Sequence, residues 1–281
     1  MDDTTVEHQG RSVRFASIGT GIPVVLLHGF PDGPGSWETI ASAVAAAGHR
    51  AIVPFLRGYH PDTIVAGRAY RREEFADDIA HLLDAVGEES AVLVGHDWGA
   101  AFVWAALGHH PERVRAAVPI AIPHPACLRP SPQLLWAVRH FFVFKAPRSD
   151  QRAARNDFAY VEGLYQRWSP SWQGPERDAA IERMKQAFGD PAVLHEALQY
   201  YRDLSLRPDP ANDFRVPCPG LLVMGADDFG GDRGPYEASL DRFDAPAELL
   251  VVDGAGHWPH REGETEFTER LVALLDSLSP T

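Results

Sequence analysis

Cysteine is scarce in this chain of 281 residues: there are two, Cys127 and Cys218. They lie far apart and form no metal-ligand spacing, which excludes a cysteine-built metal site and a disulfide framework, leaves room for one bridge at most, and suggests a reducing compartment. Positive charge is also short. Lys and Arg number 26 against 39 Asp and Glu, a formal charge of -13. A surface of that sign repels polyphosphate, so neither nucleic acid nor an anionic membrane is expected as a partner. No run of about 18 apolar residues occurs, so no segment is expected to span a bilayer. The opening residues Met1–Phe15 have neither a basic n-region nor an apolar stretch, so no secretory signal is expected and the protein is placed in the cytoplasm. Internal repeats and low-complexity tracts are missing as well.

What is present is ordinary globular composition: 45% hydrophobic, 10% aromatic and 23% charged residues. Short apolar runs alternate with helical patterns, the signature of an α/β chain with a mainly parallel sheet. Strands are expected at Arg11–Ser17, Val24–His28, Arg50–Phe55, Ala91–Gly95, Val114–Ile120, Gly220–Met224 and Glu248–Val252. Several are continuously apolar, as strands covered on both faces should be. Phe75, Ile79, Leu82, Leu83 and Val86 recur at helical spacing, as do Phe267, Leu271, Leu274 and Leu275 within Glu264–Leu278.

The alternation fails over residues 123–215. This stretch has no convincing strand, and Pro123, Pro125, Pro130 and Pro132 crowd its entrance. Helical patterns run over Arg152–Trp168 and Glu176–Phe188, and Asp190-Pro191 reads as an N-cap followed by proline at the first helical position, starting a helix toward Tyr201. The expected organisation is therefore a core domain of residues 1–122 and 216–281 with a helical cap, 123–215, inserted above the C-terminal ends of the strands. Open α/β sheets bind their ligands there.

The chemistry-bearing signals fall at strand ends. Ala91–Gly95 runs into His96, Asp97, Trp98 and Gly99, and a helix begins near Ala100. This is the strand–turn–helix setting of a nucleophile elbow, with aspartate where serine usually stands. The glycines allow strand and helix to approach, and the helix N-terminus favours negative charge. Val24–Leu27 leads into His28-Gly29-Phe30-Pro31, a loop able to aim the Phe30 N–H, together with that of Trp98, at a developing oxyanion. His28 itself reads as a structural hydrogen-bonding residue. Phe30-Pro31 is a candidate cis peptide. Near the C-terminus a strand is followed by Gly254-Ala255-Gly256-His257-Trp258-Pro259-His260, which nominates His257 as the base and leaves His260 structural. Gly220–Met224 is followed by Gly225-Ala226-Asp227-Asp228, and Asp228 is preferred over Asp227 as the carboxylate that orients the imidazole. The order nucleophile, acid, histidine, with a long gap where a cap is inserted, is that of the elbow hydrolases.

On these motifs the whole chain resembles an α/β-hydrolase-fold protein. His28–Pro31, Gly95–Gly99 and Gly256–His260 look like the epoxide hydrolase branch, whose aspartate is shared with haloalkane and fluoroacetate dehalogenases. The resemblance implies a hydrolase without cofactor or metal that opens a small apolar epoxide with water to a vicinal diol, and it leaves a homodimer open. Asp97, ionised at neutral pH, attacks a saturated carbon to give an alkyl ester, which His257 then hydrolyses. Ala197-Leu198-Gln199-Tyr200-Tyr201-Arg202 resembles the branch's second lid-tyrosine motif, placing Tyr201 (or Tyr200, one residue away) as proton donor to the departing oxygen. The segment that normally carries the first lid tyrosine, Phe141–Pro147 here, has its slot near His140, and Tyr160 or Tyr165 from the next helix are substitutes. Tyr165, His140 and Trp168 are accordingly the candidate substrate-binding residues. A halide would need N–H donors: Trp98 is one, Phe30 cannot add a second through its side chain, and Trp136, Trp168 and Trp172 keep the dehalogenase alternative open. Trp98 and Ala101 stand where fluoroacetate dehalogenases carry arginines, which argues against a haloacid. Phe55 stands where the fold often has an aspartate, next to an Arg57-Gly58-Tyr59 segment read as structural, and His124 is read as structural too. Phe141, Phe142, Phe144, Trp168 and Trp172 are expected in the cap's core. A non-catalytic binding protein on this fold is the remaining alternative.

Overall fold

Continuous burial on two faces is what turns the apolar runs into strands. The computed structural model describes residues 2–67, 69–129, 131–205, 210–228 and 231–278, Gln133 without its side chain. Among them are β1 (Asp3–His8), β2 (Arg11–Ile18), β3 (Pro23–Leu27), β4 (Arg50–Pro54), β5 (Ala91–His96), β6 (Val114–Ile120), β7 (Gly220–Gly225) and β8 (Ala247–Val252). They form one sheet in the order β1-β2-β4-β3-β5-β6-β7-β8. The first two junctions are antiparallel and the remaining five parallel. The α-helices of the lower part are α1 (Glu38–Ala46), α2 (Arg72–Val86) and α3 (Trp98–His109). In β3, Val24 and Leu26 pack on one face with Ile40 and Val44 of α1, while Val25 and Leu27 pack on the other with Phe75 and Ile79 of α2 and Phe102 of α3. Both side-chain sets are buried, so the period-2 signal merges into one apolar run.

One strand was not expected. β1 is exposed and polar along most of its length, and its residues pair with β2 from Asp3↔Ala16 to His8↔Arg11. A polar edge strand lacks the apolar pattern by which strands are read, and its charges blunt edge-to-edge association. Its signal lay in the turn. Gln9 and Gly10 both have positive φ, 47° and 75°, as a two-residue hairpin loop requires. The buried Arg57 guanidinium takes its carboxylates from α2, Asp78 at 2.6 Å and Glu74 at 3.3 Å. The two cysteines are buried and free.

Between β6 and β7 the described residues hold α4 (Pro132–Ala137), α5 (Arg139–Lys145), α6 (Ser149–Ala153), α7 (Arg155–Trp168), α8 (Pro175–Phe188) and α9 (Pro191–Asp203), and no strand. Pro130, one of the entrance prolines, lies outside the described residues. Asp190 caps α9 as expected, its Oδ1 accepting the Ala192 N–H at 2.8 Å. The pattern over Arg152–Trp168 is not one helix. It divides between α6 and α7, and α7 opens on three left-handed residues, Asn156, Asp157 and Phe158, with φ of 49°, 55° and 61°. Such residues lie outside right-handed helical geometry and are unfavourable for non-glycine side chains. Phe144, Trp168 and Trp172 are buried and Phe141 half-buried, but Phe142 is 55% exposed. On the short α5, His140 and Phe144 stand one turn apart and take the inner face, which turns Phe142 outward. Helix α9 is tied to the core by the Tyr200 hydroxyl, which donates to the Arg57 carbonyl at 2.8 Å, and by the Asp203 carboxylate, which accepts the Tyr70 N–H at 2.9 Å. After β7 come α10 (Gly234–Leu240), α11 (Pro259–Glu262) and α12 (Glu264–Leu278).

Candidate active site

Asp97 sits where β5 turns into α3, with φ 52° and ψ -115°. That conformation is strained for a side chain other than glycine, costing on the order of 1–3 kcal/mol. The crossing of strand and helix enforces it. A Cβ at Gly95 would lie 2.2 Å from the Gly99 carbonyl oxygen, and one at Gly99 would lie 2.2 Å from that of Leu27. With both Cβ atoms absent the turn closes and lifts the Asp97 carboxylate above the sheet edge. Its Oδ1 accepts the Phe30 N–H at 2.8 Å. Phe30-Pro31 is a cis peptide. The expected second donor, the Trp98 N–H, makes no hydrogen bond to that carboxylate among those described. It is one of the amides that the start of α3 leaves without a helical partner.

Asp97 Oδ2 stands 3.5 Å from Nε2 of His257, whose Nδ1 lies 3.0 and 3.2 Å from the two oxygens of Asp228. Asp228 follows β7 and is buried, whereas Asp227 beside it is exposed. Burial alone would lower the His257 imidazole; the charge and hydrogen bond of Asp228, then those of Asp97, outweigh it and bring it up to about 10. For Asp97 burial works upward, and the hydrogen bond and charge of His257, the nearby His96 and the Phe30 N–H together hold it below the ordinary carboxylate value. His96, kept neutral by burial at about 3, has its Nε2 2.7 Å from the His257 carbonyl oxygen and so donates to it. His28 works on the structural side as read, its Nε2 accepting the Leu56 N–H at 3.1 Å.

The cap closes over these groups with aromatic rings. Tyr201 packs edge-on against Phe30 and Trp98, with centroids 5.2 Å apart in each case, and against His140 at 5.5 Å. Burial and then the Asp97 charge hold its phenol well above the ordinary tyrosine value. The Tyr201 hydroxyl and the Trp98 indole N–H are buried close together and turned toward each other, and neither completes a hydrogen bond to any other group among the described residues. Tyr200, one residue away, spends its hydroxyl on Arg57. His140 lies beside Trp168 at 4.8 Å; burial pushes it down to about 4 against the opposing pull of Asp97, and its Nδ1–H is directed to the Ala137 carbonyl at 3.2 Å. Trp168 stands over His257 at 5.1 Å. Tyr165 is displaced from this group: it stacks on Trp258 and its hydroxyl is directed at the Pro31 carbonyl, 3.4 Å away. Tyr160 packs on Phe144. Trp136 points outward, 69% exposed beneath the Arg139 guanidinium, and is removed from the candidate halide donors. Among the described residues no group of His, Cys, Asp and Glu is arranged to hold a metal ion. No helix of the described residues is long and apolar enough to cross a membrane.

Residues that sequence reasoning did not single out are Ser169 and Glu262, which meet at the backbone of the His257 loop. Nothing in local spacing marks them, because one lies in the cap and the other follows the histidine.

A family model described as alpha/beta hydrolase fold matches residues 22–264. The chain is 28% identical to an epoxide hydrolase of Caballeronia sordidicola, with 95% of this chain and 91% of that protein covered. It is 29% identical to epoxide hydrolase A of Mycobacterium tuberculosis, with 97% of each covered. Among solved structures, epoxide hydrolase A from Mycobacterium thermoresistibile superposes with a TM-score of 0.82 at 23% identity, covering 100% of this chain and 99% of that one. This last likeness speaks to the fold.

Proposed function

The chain belongs to the α/β-hydrolase fold family, and from that premise we propose that it is an epoxide hydrolase working through a covalent ester on Asp97. The relatives carrying that activity in their names support the reaction class, since they match nearly the whole chain. The observation that carries the mechanism is the pairing of an ionised carboxylate with a nearby buried phenol whose proton meets no acceptor among the described residues.

In the first step Asp97 Oδ2 attacks an epoxide carbon, forming a C–O bond as the ring C–O bond breaks. The departing oxygen takes the Tyr201 proton, while Oδ1, held by the Phe30 N–H, becomes the ester carbonyl oxygen. A neutral imidazole is then needed. While Asp97 is ionised His257 is held protonated; esterification removes that negative charge, so the imidazole pKa falls, the His257 proton restores the Tyr201 phenolate to the phenol by way of solvent, and the neutral His257 becomes a base. It takes a proton from water, the oxygen of which attacks the Asp97 carbonyl carbon, and the oxyanion forms on Oδ1 beside the Phe30 N–H. Collapse breaks the acyl–oxygen bond and releases the diol, which takes a proton from His257; the Asp97 carboxyl then gives its proton to His257, restoring the starting ion pair. Asp228 holds the ring by Nδ1 throughout. Positioning of the substrate falls to His140 and Trp168, while Tyr165, turned to Trp258 and the Pro31 carbonyl, takes no part.

The dehalogenase reading has one observation in its favour, the buried Trp98 indole N–H, which completes no hydrogen bond to any group but Tyr201 among the described residues and suits a halide. Incubation with styrene oxide and with 1-bromobutane separates the two. Diol formation without bromide release is expected; bromide release without diol would replace the first reading by the second. Binding without turnover of either class, over a broad panel, would favour a non-catalytic protein.

A further inference from the structure

Resting on the ester reading, we infer that Glu262 and Ser169 are positioning residues for the His257 base, and that the seating of the cap governs ester hydrolysis through them. Glu262 ends α11, and its Oε1 accepts three hydrogen bonds: from the Ser169 hydroxyl at 2.6 Å, the Gly256 N–H at 3.0 Å and the Trp258 N–H at 3.2 Å. The amide between those two, that of His257, donates to Ser169 Oγ at 2.8 Å and to the Trp168 carbonyl at 3.0 Å. Three successive N–H groups of the catalytic loop thus converge on one carboxylate and one hydroxyl, an arrangement that fixes loop conformation because consecutive amides turned to one side form a concavity for negative charge.

The acceptors come from both layers. Glu262 belongs to the core, whereas Trp168 and Ser169 end α7 of the cap, and Ser169 is fully buried there. The fit is close enough that a Cβ on Gly256 would stand 2.3 Å from the Trp168 carbonyl oxygen. Asp228 holds the ring end of His257; this clamp holds its backbone end. Lifting the cap would strip the His257 N–H of both acceptors and leave Glu262 with two amides in place of three donors. The two half-reactions do not depend on this equally. Ester formation uses Asp97 and Tyr201, and ester hydrolysis uses His257. A loosened clamp therefore slows the second step selectively.

The test compares Glu262→Ala, Ser169→Ala and Glu262→Gln with the unaltered enzyme. Acid-quenched samples from rapid mixing with styrene oxide are weighed as intact protein alongside steady-state kinetics. In Glu262→Ala and Ser169→Ala the alkyl-enzyme accumulates, kcat falls about tenfold or more, and KM falls with it, so that kcat/KM changes by less than about twofold. Glu262→Gln, which keeps an acceptor oxygen, recovers part of the loss. Unchanged kcat, or a fall in kcat/KM equal to that in kcat without accumulation, overturns the proposal. Ser169→Ala removes a single hydroxyl and carries the test if Glu262→Ala does not fold. A second readout needs no turnover: the downfield proton NMR signal of His257 Nδ1–H shifts or broadens in both alanine variants, and an unmoved signal in both overturns the clamp. If the unaltered enzyme forms no alkyl-enzyme, the ester reading has failed, and the NMR signal still decides the clamp.

Discussion

The sheet edge and the cap meet around Asp97 but hold their polar groups in opposite conditions. At the sheet edge the charged groups already engage one another: Asp97 with the Phe30 N–H at 2.8 Å, and His257 with Asp228 at 3.0 Å. On the cap side the Tyr201 hydroxyl and the Trp98 indole beside it complete no hydrogen bond to any other group among the described residues. Leaving a buried donor unmade costs about 1–3 kcal/mol, an expense proteins concentrate where a ligand's own polar atom completes the bond. The difference separates general chemistry from leaving-group choice. On the proposed mechanism, making and hydrolysing an alkyl ester belongs to the core, and the means of stabilising the departing atom hangs from the cap.

Substitutions can break that division at either side. Asp97→Ala should abolish turnover of every substrate, a loss on the order of 10⁴-fold or more in kcat, checked by product assays on epoxides and bromides alike. With His257→Gln the first step survives, so mass spectrometry should find protein carrying one substrate mass while diol release drops by roughly 10³-fold. Tyr201→Phe should lower epoxide turnover by about 10²- to 10⁴-fold and leave bromide chemistry nearly untouched; equal losses on both substrates would remove Tyr201 from its role. The pH dependence sharpens the same contrast. Asp97 is held below the ordinary carboxylate value, so ester formation should be flat through neutral pH. Ester breakdown needs neutral His257 and should rise with pH to a plateau; single-turnover rates that fall with rising pH would contradict this. The smallest effect is on one cap helix: Phe144→Ala, at a fully buried ring, should cost about 3–5 kcal/mol in denaturant titration, whereas Phe142→Ala should change stability by less than about 0.5 kcal/mol.

The same division explains what could be read from the chain. Asp97, Asp228 and His257 each follow an apolar strand, and Gly95 and Gly99 mark the sharp turn, so short-range chemistry located them in the sequence. Tyr201 and His140 required a family resemblance, because a tyrosine or histidine on an amphipathic helix carries no local sign of what it faces. Phe142 was misread for the same reason: on a helix as short as α5, adjacent aromatics give no clear face until a partner fixes it. Strand β1 escaped notice since a polar edge is held by its ladder to β2 and not by burial. Ser169 and Glu262 stand 93 residues apart and meet only through folding. The left-handed residues at the start of α7 have no glycine to announce them.

The central claim is that Asp97 bonds to substrate carbon and gives up its own oxygen. A single turnover in ¹⁸O-water, followed by peptide mass spectrometry, tests it directly. Heavy oxygen in the peptide containing Asp97, with unlabelled diol, is the predicted result; labelled diol and an unlabelled Asp97 would contradict it, for water would then have attacked the substrate itself.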